Sequence, residues 1–232
     1  MNQCSKLKRD GLHAKPYRAV ARNQLTRGVK VLNRTAKIKL VEPRQNGGVS
    51  VEHCISQRRS VRGFRDQTLA EDELGQLLWA AQGITAADGK RAVSSAGALY
   101  PLQLYAACRN VNGMTGGVYR YDSARHELLL VSPGRQCEKL FDAARGQEWI
   151  ASAPAVICIA ADFERTTSKY GARGRGYVYM EAGQAAESLM LQAVALGLAS
   201  TIVGAFGDNE VKHLLHLPLN ETPLCLLPVG AP

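Results

Sequence analysis

Arg58-Arg59-Ser60-Val61-Arg62-Gly63-Phe64 places three guanidinium groups and a hydroxyl close together, between two segments with helical signatures. In an extended segment side chains alternate, so Arg58, Ser60 and Arg62 are expected to share one face. Such a face offers planar, permanently charged forks and one hydroxyl. This donor set suits a phosphate of about −1.5 to −2 charge. The same residues taken alone also describe a basic surface turn. The choice rests on whether the rest of the chain completes a site for a phosphate-bearing cofactor.

Upstream, Ile38 and Leu40 alternate with lysines, and Ser50 can cap a short helix over 51–57 with Glu52 in its first turn. Downstream, Thr68-Leu69-Ala70-Glu71 reads as a capping box. The stripe Leu74, Leu77, Leu78 and Ala81 then predicts a helix that stops at Gly83. Ser94-Ser95-Ala96-Gly97-Ala98-Leu99-Tyr100-Pro101 is rich in small residues that let a backbone approach a flat ligand, although a plain loop has the same composition. Strands are expected over 102–107 and, as a hairpin, over 117–121 and 127–131. One or two short helices follow within 137–152, and the unbroken apolar run 155–161 reads as a buried strand. Lys169-Tyr170-Gly171-Ala172-Arg173-Gly174-Arg175-Gly176-Tyr177 is a glycine-rich basic stretch before a helix over 177–196, apolar on more than one side. A strand over 200–203, a turn at 204–207, a helix capped by Asp208 and a strand over 224–229 complete the chain.

The totals narrow the function classes. Of 29 Lys and Arg against 20 Asp and Glu, nine basic residues and one acid fall in residues 1–36, leaving the remainder nearly neutral. The net charge of +9 therefore does not describe a basic nucleic-acid face on the body. Residues 1–36 read as a basic, poorly ordered extension, with a targeting segment or a nucleic-acid arm as other readings, and 37–232 as one domain. The six cysteines form no metal or disulfide spacing. His213 and His216 lack a third ligand, so no metal is expected. Trp79 and Trp149 are expected in the core. With no membrane-length apolar run, a cytoplasmic setting is expected.

Taken in order, RRSVRGF at 58–64, ELGQLLWAAQGIT at 73–85, SSAGALYPLQLY at 94–105, GVYRYD at 117–122, KYGARGRGY at 169–177, EAGQAAESLMLQAVALGL at 181–198 and IVGAF at 202–206 resemble the nitroreductase family of flavin mononucleotide (FMN) enzymes. Within it the chain looks most like the SagB-type dehydrogenases, which oxidise thiazolines and oxazolines in modified peptides. The resemblance implies an α+β, nitroreductase-like fold with a central, mainly antiparallel sheet flanked by helices, working as an intertwined homodimer. It implies that Arg58, Arg59, Ser60 and Arg62 hold the phosphate and ribityl chain. Ser95, Ala96, Gly97, Ala98 and Leu99 would approach the cofactor from the partner subunit, and backbone groups of Val203, Gly204 and Ala205 would face the isoalloxazine. Lys169 and Tyr170 resemble the Lys-Tyr pair of azoline-oxidising members, with Tyr170 orienting Lys169 or sharing its proton. A lysine serves as base where desolvation or nearby cations such as Arg173 and Arg175 favour its neutral form. Ser94 stands where many relatives have proline and Ala98 where many have asparagine. The sequence ends at Gly230-Ala231-Pro232 where basic residues often help hold phosphate, which puts more of that task on Arg58–Arg62.

The expected partners are a small-molecule or peptide substrate and a second copy of the chain, not nucleic acid or membrane. Besides azoline oxidation, an NAD(P)H-dependent nitro- or quinone reductase and a non-catalytic subunit that presents a substrate or partner fit the same motifs.

Overall fold

The computed structural model describes residues 37–232, and the expected basic extension over 1–36 lies outside the described residues. Strands β1 (Lys37–Lys39), β2 (Leu102–Cys108), β3 (Gly117–Asp122), β4 (Glu127–Pro133), β5 (Ala155–Ala161), β6 (Ala199–Ser200) and β7 (Thr222–Gly230) form one sheet. The order is β1-β4-β3-β2-β5-β7-β6, with every neighbouring pair antiparallel. The helices are α1 (Val51–Gln57), α2 (Glu71–Gln82), α3 (Cys137–Ala143), α4 (Glu148–Ser152), α5 (Glu164–Tyr170), α6 (Arg173–Ala195) and α7 (Asp208–Leu214). This is the expected α+β architecture.

Period-two alternation sorts the strand side chains into two cores. Leu102, Leu104, Ile157, Ile159 and Leu227 pack with α2 and α6 on one face. Tyr105, Val156, Cys158 and Leu226 pack with α3, α4 and α7 on the other. β5 is central and covered on both sides, so all seven of its residues are buried, which is why its sequence is apolar without alternation.

Two helix starts differ from expectation. Leu69 bridges to Val111, and the Thr68 hydroxyl donates to the Asn110 side chain, so tertiary pairing continues past the expected start. Helix α2 begins two residues later, where Glu73 Oε2 accepts the Ala70 N–H at 2.9 Å. Helix α6 begins at Arg173, inside the glycine-rich stretch expected to precede it. Its Gly174 lies against α5: a Cβ there would stand 3.0 Å from the Thr166 carbonyl oxygen and 3.0 Å from Thr167 Cα. Backbone atoms cannot swing aside. Gly174→Ala is therefore expected to cost about 1–3 kcal/mol and lower Tm by roughly 2–10 °C in a thermal melt. Gly176→Ala, with nothing within 4 Å of its Cβ position, should leave Tm unchanged or raise it slightly.

Cys54, Cys108, Cys137, Cys158 and Cys225 are all buried and unpaired in disulfides. Burial pushes the Cys137 and Cys225 thiols up to about 12 and raises those of Cys108 and Cys158. Among the described residues no helix is long and apolar enough to cross a membrane.

Candidate functional site

Helix α6 is the ruler of the site. Glu181, Gln184 and Glu187, spaced by three, receive contacts from the motifs that the sequence singled out. Ser95 lies beside the Glu181 carboxyl. The Ser94 hydroxyl donates to Gln184 Oε1 at 2.8 Å, and Arg58 Nε pairs with Glu187 Oε1 at 3.3 Å. The small-residue loop and the arginine segment of one protomer are thus separated by six helical residues, roughly 9 Å of rise.

The loop turns tightly. Ala96–Ala98 form a 3-10 turn, the Ala98 N–H reaches the Ser95 carbonyl at 3.0 Å, and the Leu99 N–H reaches the Ala96 carbonyl. Gly97, Ala98 and Tyr100 have φ of 63°, 53° and 46°. Only the first is free of a Cβ penalty in that region. Gly97 is also where the Lys-Tyr pair arrives. A Cβ on it would lie 2.7 Å from Tyr170 Oη and 3.0 Å from Lys169 Nζ. Both side chains come from the last turn of α5, which Gly171 closes at φ 55°. Lys169 Nζ lies 5.4 Å from the Tyr170 ring, whose edge meets Tyr177 at 5.3 Å. Arg173 and Arg175 lie over Tyr177 and Phe163.

The arginine segment follows the sheet edge past β6. Ser60 forms a parallel bridge with Ser200, and the Val61 N–H donates to the Ser200 carbonyl at 3.2 Å. The expectation of one shared face is not met. Arg58 is the C-cap of α1, so its direction is set by a helix end, and it turns to α6. Arg62 lies over Trp149 of α4, on the other face of the sheet, with its guanidinium carbon 5.7 Å from the ring. Arg59 donates to the Ser56 and Arg58 carbonyls. A cavity of about 290 Å³ is lined by Arg58, Arg59, Met190 and Ser200 among others. A larger one, about 390 Å³, lies between residues 44–49 and the C-terminal half of α6 and touches none of the expected site residues.

The chain beyond β6 supplies the second wall. Val203 is not available to a ligand through its backbone, because its N–H and C=O both pair with Leu226 of β7. Gly204 and Ala205 are exposed, and among the described residues their N–H groups have no acceptor. Ile202 beside them is 47% exposed. Free amide donors, an exposed apolar side chain and guanidinium groups one strand away fit a flat heteroaromatic ring with an anionic tail.

Two features escaped the sequence reading. Trp149, expected in the core, is only partly buried and backs Arg62. Glu181 is 3% exposed, and burial pushes its carboxyl up to about 7 against the opposing influence of the neighbouring Ser95 hydroxyl and the charges of Arg91 and Arg165. A helical glutamate gives no sequence signal for burial. The His213 and His216 rings stack at 6.4 Å, and among the described residues no group of three or more His, Cys, Asp and Glu side chains is arranged for a metal ion.

Comparison with known proteins places this geometry. The Nitroreductase family model matches residues 55–231. A protein of Methanocaldococcus jannaschii provisionally named a nitroreductase is 43% identical over 182 residues, covering 78% of this chain and 91% of that protein. The FMN reductase [NAD(P)H] of Bacillus subtilis is 25% identical over 194 residues, 77% of this chain and 64% of that one. A chain in the structure of the Escherichia coli microcin synthetase McbBCD complex with truncated pro-MccB17 superimposes with a TM-score of 0.67 at 22% identity. That match covers 92% of this chain and 84% of the other and is a likeness of fold.

Proposed function

The chain belongs to the nitroreductase family of FMN-dependent oxidoreductases, and from that premise we propose that it dehydrogenates an azoline-like ring in a peptide or small metabolite. The observation that carries this reading is the convergence of Lys169 Nζ and Tyr170 Oη on Gly97, in the loop expected to border the cofactor. Converting a thiazoline or oxazoline to its aromatic form removes a proton from one ring carbon and a hydride from its neighbour. Bound flavin supplies the hydride acceptor at N5, with dioxygen as its reoxidant. Lys169 Nζ accepts the proton, and Tyr170 Oη orients the ammonium that results or shares the proton with it. Gly97 leaves both groups uncovered, since any side chain there would occupy their place.

In this reading Arg58, Arg59, Ser60 and Arg62 hold the phosphate and ribityl chain, and the free N–H groups of Gly204 and Ala205 face the ring. The likeness of fold to a chain of the microcin synthetase complex is in keeping with a peptide substrate. The protein works as a homodimer, for which Tyr179 and Met180, 53% and 57% exposed on α6, provide apolar contact surface.

The purified protein is expected to carry FMN, seen as absorbance bands near about 370 and 450 nm and identified on release. Changing Arg58 and Arg62 together to alanine should weaken FMN binding about 10²-fold or more in a flavin-fluorescence titration, because two charge-assisted contacts are lost. Unchanged affinity would move the phosphate elsewhere. Bleaching of the flavin by NAD(P)H but not by an azoline peptide would favour the nitro- or quinone-reductase reading, in line with the Bacillus relative.

A further inference from the structure

Strands β2 and β3 separate before either of them ends. Their pairing runs from Cys108–Gly117 to Tyr105–Arg120, yet β2 begins at Leu102 and β3 continues to Asp122. Over that length each keeps its other neighbour: β2 stays paired with β5 as far as Leu102–Ala161, and β3 with β4 as far as Asp122–Glu127. The fork opens into a cavity of about 260 Å³, with Gln103, Leu104, Tyr121 and Asp122 among its walls. None of the residues expected to hold FMN lines it.

Two guanidinium groups border this cavity, each braced by a glutamine. Arg91 Nη1, from the loop after α2, donates to Gln82 Oε1 at 2.7 Å, and Arg120 Nη2 donates to Gln103 Oε1 at 2.7 Å. Among the described residues neither arginine has a carboxylate within 4 Å. Asp122 is already engaged by Arg125 at 3.0 Å and by the Ala124 and Arg125 N–H groups. Burial lowers the pKa of Arg91, the mark of a charge that has lost hydration. Gln82 is 1% exposed and also lines the cavity. An arginine can only donate, so the Gln82 carbonyl faces Arg91 and Nε2 is left over. That Nε2 has no hydrogen-bond partner among the described residues. A buried amide donor beside two forks without counter-ions is a donor set matched to negative charge.

The forks come from different faces of the sheet. Successive strand residues point oppositely, so Arg120 leaves β3 on the side away from Tyr121, which belongs to the core under α2 and α6. Arg91 stands on the α2 side through its bond to Gln82. A compact anion meets one fork, whereas a short chain with a carboxylate at each end meets both. We propose that the fork between β2 and β3 is a binding site for a small dicarboxylate, one carboxylate held by Arg91 and Gln82 Nε2 and the other by Arg120. The Arg91 guanidinium carbon also lies 4.5 Å from the Tyr100 ring centre, so the occupied site adjoins the end of the small-residue loop.

Isothermal titration of the FMN-loaded full chain with succinate and with glutarate, at fixed ionic strength, tests this. At least one diacid is expected to bind with Kd below about 1 mM, and butyrate and inorganic phosphate about tenfold more weakly or worse. Arg91→Gln and Arg120→Gln should each weaken the tighter diacid about 10–100-fold. Arg91→Lys, which keeps the charge and loses the planar fork, should weaken it about tenfold. Unchanged affinity in either glutamine variant, or no saturable binding of either diacid up to about 10 mM, would overturn the proposal. So would phosphate or butyrate binding as tightly as the diacids, or diacid binding that excess FMN abolishes, which would put the anion at the arginine segment. If a variant does not fold, a crystal of the wild-type chain grown with succinate decides. Density joining Arg91 to Arg120 supports the site, and density elsewhere or none overturns it.

Discussion

Lys169→Ala is expected to slow dehydrogenation of an azoline peptide by about 10²–10⁴-fold, the span that a positioned general base contributes. The flavin content should not change, because Lys169 lies at the end of α5 rather than in the arginine segment. Anaerobic mixing of FMN-loaded protein with substrate, followed as bleaching of the flavin band, reads the chemical step directly. Tyr170→Phe should be milder, since it keeps the ring that meets Tyr177 at 5.3 Å and loses only the hydroxyl beside Gly97. Reduction by NAD(P)H, if the protein supports it, needs no proton from a ring carbon and should survive both changes. A Lys169→Ala variant within threefold of wild type would place the base elsewhere.

The second large effect concerns stability. Glu181 ionises at about 7 in the folded protein, raised by burial from an ordinary value of 4.5. Between those two values the folded state holds a proton that the unfolded state has lost. Stability from this group is therefore complete below about pH 4.5, falls as pH rises through the window, and is lost above about 7. The full swing is roughly 3 kcal/mol. Glu181→Gln cannot titrate, so the difference between wild type and variant in denaturant unfolding should shift in the variant's favour from pH 5 to pH 8. Glu221, also raised by burial, contributes a slope of the same sign but is present in both proteins and cancels. A pH-independent difference would show that Glu181 is ionised in the folded protein throughout this range.

Much of the fold was legible because its elements carry their own periodicity. The apolar run of β5 and the leucine stripe of α2 need little tertiary information to be read. Boundaries were lost where long-range pairing competes with local signals. Leu69 bridges to Val111, so the capping role passes from Thr68 and Glu71 to Ala70 and Glu73. The glycines near the start of α6 resemble a loop until the Thr166 carbonyl is seen against Gly174. In the site, Lys169, Tyr170 and the small-residue loop were identifiable by type, but their meeting at Gly97 depends on how α5 packs. Val203 looked like part of the ligand-facing turn, and only the pairing with Leu226 removes it. Glu181 was invisible because nothing in a helical repeat marks which glutamate faces the interior.

The thiols carry a last consequence. A flavin oxidase that returns its electrons to dioxygen releases hydrogen peroxide at its own surface, turn after turn. Peroxide attacks thiolates, and every cysteine among the described residues is buried, with four of the five held as neutral thiols far above physiological pH. With dioxygen as the proposed reoxidant, the folded domain would be armoured against its own by-product, and self-inactivation by sulfur oxidation would begin only once the chain opens.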